Sequence, residues 1–106
     1  MKTIPLNETD FILKYTLRAF FVFENISGYP FQFGKLVDEY LLFYSFLLAN
    51  NETFNVDFSK FIDLCENDLT LFDQFKEFLL NEIELRSQSA EKVVKKKKIA
   101  TPKRKQ

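Results

Sequence analysis

The sequence predicts an all-α fold, a compact bundle of about four helices followed by a disordered basic C-terminal tail. Three observations lead there: apolar residues recur at spacings of three and four through most of the chain, residues that cap helices stand at the ends of those stretches, and the charge is sharply divided. The 106 residues carry 15 basic and 15 acidic side chains, for a formal net charge of zero. Residues 91–106 hold seven lysines and one arginine against one glutamate, net +7, which leaves residues 1–90 with seven basic and 14 acidic residues, net −7. All 14 Phe and all 4 Tyr belong to residues 1–90. The rest is too polar to offset the entropy of ordering a chain, so the reading is an acidic, aromatic-rich helical domain over 1–90 and a disordered tail over 91–106.

Each element has its own justification. Phe11 to Tyr15 reads either as an early helical turn or as a short extended segment. Leu17, Phe20, Phe21 and Glu24 suit a helix capped by Thr16 and closed by Gly28 in the left-handed conformation. Gly28, Pro30 and Gly34 mark a turn. The central helix runs from Lys35 to Asn50, with Leu36, Tyr40, Phe43, Tyr44, Leu47 and Leu48 on one stripe and Leu41, Leu42 and Phe46 elsewhere, so it should be enclosed on most sides. After a loop at Asn50–Thr53, Asp57 caps a short helix whose Phe58, Phe61, Ile62 and Cys65 face inward. Glu66-Asn67-Asp68 breaks it. A last helix then runs from Asp68 to about Arg86, with Leu71, Phe72, Phe75, Phe78, Leu79 and Ile83 on its inner stripe; good helix formers can carry it some turns into Ser87-Gln88-Ser89-Ala90-Glu91-Lys92, with fraying expected before Lys98.

Composition narrows the chemistry. With no histidine and one cysteine, Cys65, the chain lacks the residues for the usual zinc sites, a Ser-His-Asp or Cys-His pair, or an internal disulfide. No catalytic residue, metal ligand or cofactor site is expected. Asp63, Glu66, Asp68 and Asp73 lie close together but do not match a calcium loop, and helix ends explain them. Cys65 follows Phe61 and Ile62 on one helical face and reads as a small buried hydrophobe. The N-terminus lacks a signal-peptide core, and the longest apolar stretch, Tyr40 to Ala49, falls short of the roughly 20 residues that span a bilayer. A cytoplasmic protein without a membrane segment is the expectation.

Two features suggest binding instead. The 18 aromatic rings, together with the leucines, exceed what a small domain easily covers. A protein partner is therefore expected on an aromatic surface including Tyr29, Phe31, Phe33 and Phe54, with a homo-oligomer covering that surface when the partner is absent. The basic tail, Lys95, Lys96, Lys97 and Lys98 followed by Lys103, Arg104 and Lys105, offers an alternative: a small nucleic-acid-associated regulatory protein that contacts phosphates through the tail. An acidic body and a lack of interleaved aromatics make nucleic acid the less favoured partner.

The order of motifs is also informative. Phe23-Glu24-Asn25-Ile26-Ser27-Gly28-Tyr29-Pro30, a Leu/Phe/Tyr-rich helix ending Leu48-Ala49-Asn50, Phe54-Asn55-Val56-Asp57-Phe58, Phe61-Ile62-Asp63 and Glu66-Asn67-Asp68-Leu69 follow one another over roughly Leu17 to Leu80. In this order they resemble the small tail assembly chaperones of long-tailed bacteriophages. The resemblance implies a non-enzymatic, mostly helical protein of the host cytoplasm. It would bind the tape measure protein, keep it soluble, help tail-tube subunits assemble around it, and be absent from the finished virion. Such families often make a longer form by frameshifting, for which Lys95 to Lys98 would be a suitable place. The phenylalanine-rich body and the long lysine tail depart from the family pattern.

Overall fold

A computed structural model describes the backbone of residues 1–100 and the side chains of residues 1–87. It contains a two-stranded antiparallel hairpin, β1 (Lys2–Leu6) and β2 (Thr9–Leu13), followed by four helices: α1 (Leu17–Ser27), α2 (Leu36–Asn50), α3 (Phe58–Asn67) and α4 (Thr70–Ala100). The four helices agree with the sequence reading; the hairpin corrects it, because the fold is not purely all-α. Of the two readings of Phe11–Tyr15, the extended one holds through Leu13.

The hairpin follows from alternation. Ile4 and Leu6 on β1, and Phe11 and Leu13 on β2, point inward, while their neighbours face outward. Asn7 and Glu8 form the two-residue connection with φ of 51° and 68°, the left-handed pair that matches the twist of a tight hairpin. A lone hairpin is marginal in water, and this one is held by the helices. The Asn51 side chain accepts from the Ile12 N–H at 2.8 Å and donates to the Ile12 carbonyl at 3.0 Å, acting on β2 as a neighbouring strand would. Asn50 donates to the Lys14 carbonyl at 3.0 Å. Asn51→Ala is expected to cost about 1 kcal/mol by replacing the two exposed bonds to Ile12 with water, read as a Tm lower by about 4–8 °C in a thermal melt.

The caps are those the sequence implies. Thr16 accepts from the Ala19 N–H at 3.3 Å, and Asp57 accepts from the Lys60 N–H at 2.8 Å. Gly28, at φ 88°, closes α1 by donating to the Glu24 carbonyl, a conformation in which a side chain would be strained.

Helix α2 is the centre of the molecule. Phe43, Leu42, Ser45, Phe46 and Leu47 are fully buried, and Ser45 satisfies its hydroxyl by donating to the Leu41 carbonyl. Around it the rings interlock. Phe43 stacks on Phe75 with centroids 4.6 Å apart and meets Phe61 edge-on at 5.0 Å. Phe46 meets Phe20, Phe75 and Phe78 edge-on. Most of the aromatic surplus is thus spent on the core. Among the phenylalanines, only Phe21 and Phe33 are substantially exposed.

Helix α4 also revises the reading. Its inner stripe ends near Ile83, and the helix continues past Arg86 through the Ser87–Lys92 extension and on to Ala100, farther than the fraying expected before Lys98. The side chains of Lys95, Lys96, Lys97 and Lys98 lie outside the described residues, as does all of 101–106, with Lys103, Arg104 and Lys105.

Candidate functional site

The first turn of α2 is inverted relative to an ordinary surface helix. Leu36 and Val37 are 65% and 54% exposed, whereas Asp38 and Glu39 are buried. Buried carboxylates need partners, and the preceding loop and α4 supply them. Asp38 accepts from the Tyr29 hydroxyl at 2.8 Å. Glu39 accepts from the Gly34 N–H at 3.2 Å and from the Lys76 ammonium at 2.7 Å. The two acids thereby fasten the 28–35 loop and α4 to the start of α2. Leu36, assigned to the inner stripe by its spacing, is turned to the surface.

Those exposed aliphatics border a groove. Tyr40 of α2 and Phe58, Ile62 and Cys65 of α3 form its floor; Leu36, Val37, Glu66 and Leu69 complete the lining, around a volume of about 530 Å³. Leu69, in the turn before α4, is 68% exposed. Tyr40 is fixed by stacking on Phe72, with centroids 4.1 Å apart and planes 14° apart. Lys76 lies 5.7 Å from the Phe72 ring and 6.0 Å from the Phe33 ring, so the exposed Phe33 connects to the groove through one cation.

Charge sits beside this apolar floor. Burial, followed by the neighbouring Cys65, Asp73 and Glu66, pushes the Tyr40 phenol up. Burial also pushes the Cys65 thiol up to about 12, with Asp68 adding to the effect, so it is a protonated, unreactive group at neutral pH. Glu39 shifts the other way: chiefly the Lys76 hydrogen bond, and less so the Gly34 N–H, hold its carboxyl below the usual range against the opposing effect of burial. A lowered folded-state pKa contributes stability above the unfolded value of about 4.3 and loses it as pH falls through the folded value. Wild type should therefore lose Tm more steeply below about pH 4.5 than Glu39→Gln, which should already cost about 1 kcal/mol at pH 7 by leaving Lys76 without its charge partner. Parallel melts across that range check both.

The expected partner residues divide. Tyr29 and Phe33 are 43% and 47% exposed. Phe31 is half-buried, edge-on to Phe23 at 5.4 Å and to Phe33 at 5.0 Å. Phe54 is 4% exposed and packs against Phe11 and Tyr44, so it belongs to the core and not to a shared surface with the other three. The residues that sequence reasoning missed are Leu36, Val37 and Leu69. The only available signal was two carboxylates directly following two aliphatics at a helix start.

Among the described residues, no group of three or more His, Cys, Asp or Glu is placed to hold a metal ion, and no helix is long and apolar enough to cross a membrane. No protein-family model matches the chain, and no curated protein or solved structure is found to be similar to it.

Proposed function

We propose that this chain is a non-enzymatic chaperone that shields an apolar helical stripe of a protein partner in the groove between α2 and α3. The observation that carries the reading is an apolar groove rimmed by exposed aliphatics, Leu36, Val37 and Leu69. Amphipathic helices are recognised in grooves of this kind, by apolar side chains spaced three and four apart. A small-molecule site of similar volume would need several converging polar groups, and this lining has one carboxylate, Glu66.

The motif order that resembles the phage tail assembly chaperones gives the partner: the tape measure protein, a long helical chain that needs cover before tail-tube subunits enclose it. On this reading the groove binds the partner's exposed stripes reversibly and yields them to the tube. Co-expression with the tape measure protein encoded in the same genome tests it. The partner should become soluble and co-purify with this chain; equal solubility with and without the chain would refute the proposal.

A further inference from the structure

The groove is apolar in its floor and acidic at its side. Glu66 lines it, Asp73 follows Phe72, the ring stacked on the floor residue Tyr40, and Asp68 directly precedes the rim residue Leu69, its carboxylate accepting from the Thr70 N–H at 3.1 Å and hydroxyl at 2.6 Å. All three carboxylates are exposed, and among the described residues none of them forms a salt bridge. The bases nearby are engaged or turned away. Lys76 is held by Glu39, Lys35 lies over the Tyr29 ring, and Lys60 falls on the opposite side of α3 from Phe58 and Ile62 at 100° per residue. The site thus asks for an occupant that brings apolar groups together with positive charge.

The chain itself contains such a segment. Val93 and Val94 stand between Lys92 and Lys95, and the lysines continue to Lys98. We propose that the groove of one copy takes the basic C-terminal segment, Lys92–Lys98, of a second copy. The donor must be another molecule. Helix α4 starts at Thr70, immediately after the rim residue Leu69, and runs through Ala100. At 1.5 Å per residue, Lys95 is carried roughly 38 Å from its own groove. The net charges, −7 for residues 1–90 and +7 for residues 91–106, make the contact attractive between copies.

The contact joins two different surfaces, so each copy offers one groove and one segment, and reciprocal exchange closes a dimer. It places a weak, salt-sensitive occupant on the apolar floor. Any partner with a longer apolar stripe displaces it, and the groove is covered while no partner is present. This self-association does not depend on the chaperone reading: its test contains no partner, and either idea can fail alone.

Sedimentation velocity on full-length protein provides the test. Wild type should associate in a concentration-dependent way, about tenfold or more weakly at about 500 mM than at about 50 mM NaCl. A groove variant, Glu66→Lys with Asp73→Lys, and a segment variant, Lys95→Glu with Lys96→Glu, Lys97→Glu and Lys98→Glu, should each associate at least about tenfold more weakly than wild type. Mixed in equal amounts, the first supplies an intact segment and the second an intact groove, and a one-to-one complex should form. The neutral pair Glu66→Gln with Asp73→Asn should fall between wild type and the lysine variant, guarding against a folding artefact. Monomeric wild type at low salt, variants that associate like wild type, or a mixture that stays monomeric would each overturn the proposal.

Discussion

Phe43→Ala is expected to remove about 3–5 kcal/mol, a large share of the total stability of a domain of this size. The ring has no exposed surface, lies flat against Phe75 and takes the edge of Phe61, so truncation opens a cavity where α2, α3 and α4 meet. Collapse is resisted because the neighbouring rings, Phe46 and Tyr44, are fixed by contacts of their own. A thermal melt should show Tm lower by more than about 12 °C or no cooperative transition. Phe21→Ala supplies the contrast. That ring is 55% exposed on α1, and its removal should change stability by less than about 1 kcal/mol. Similar losses for the two variants would mean that the aromatic core is not centred on α2.

The double variant Val37→Asp, Leu69→Asp is expected to weaken capture of the proposed partner, the tape measure protein, at least about 30-fold while leaving the fold intact. Both side chains are more than half exposed, so neither supports the core. A carboxylate at either position must lose its hydration when an apolar helix docks, at roughly 1–3 kcal/mol each, and Glu66 beside the groove adds like-charge repulsion. A pull-down at matched concentrations together with a melt separates binding from folding. Unchanged capture would remove these residues from the interface.

Helix α3 and the closing of α1 were legible because they depend on local chemistry: Asp57 and Thr16 accept from the N–H groups three residues on, and Gly28 is free to take positive φ. The hairpin was not legible. Its connection is Asn7-Glu8 in place of the favoured Asn-Gly, and Pro5 interrupts β1, so the alternation of Ile4, Leu6, Phe11 and Leu13 had no turn signal to frame it. Its supports are distant in sequence: the core that buries Ile4, Leu6, Phe11 and Leu13, and the Asn51 amide, 39 residues from its partner Ile12.

The groove was hidden for a similar reason. Spacing alone puts Leu36 on the inner stripe of α2, yet the loop delivers Tyr29 and Gly34, and α4 delivers Lys76, to satisfy Asp38 and Glu39 inside. That exchange turns Leu36 and Val37 outward. Composition points to an apolar surplus carried by rings, whereas the large exposed hydrophobics are mostly aliphatic. Rings pair edge-to-face in the interior here, as with Phe54 on Phe11 and Tyr44, and leave mainly aliphatics on the surface.

Hydrogen exchange on the chain co-expressed with its proposed partner, the tape measure protein, tests the central claim most directly, because it reports where a partner sits on the unmodified chain. Added protection should fall on the amides of residues 36–40 at the start of α2 and along α3 to Leu69. Protection confined to another exposed apolar face, such as Leu17 and Phe21 of α1, with the α2–α3 groove unchanged, would contradict the account.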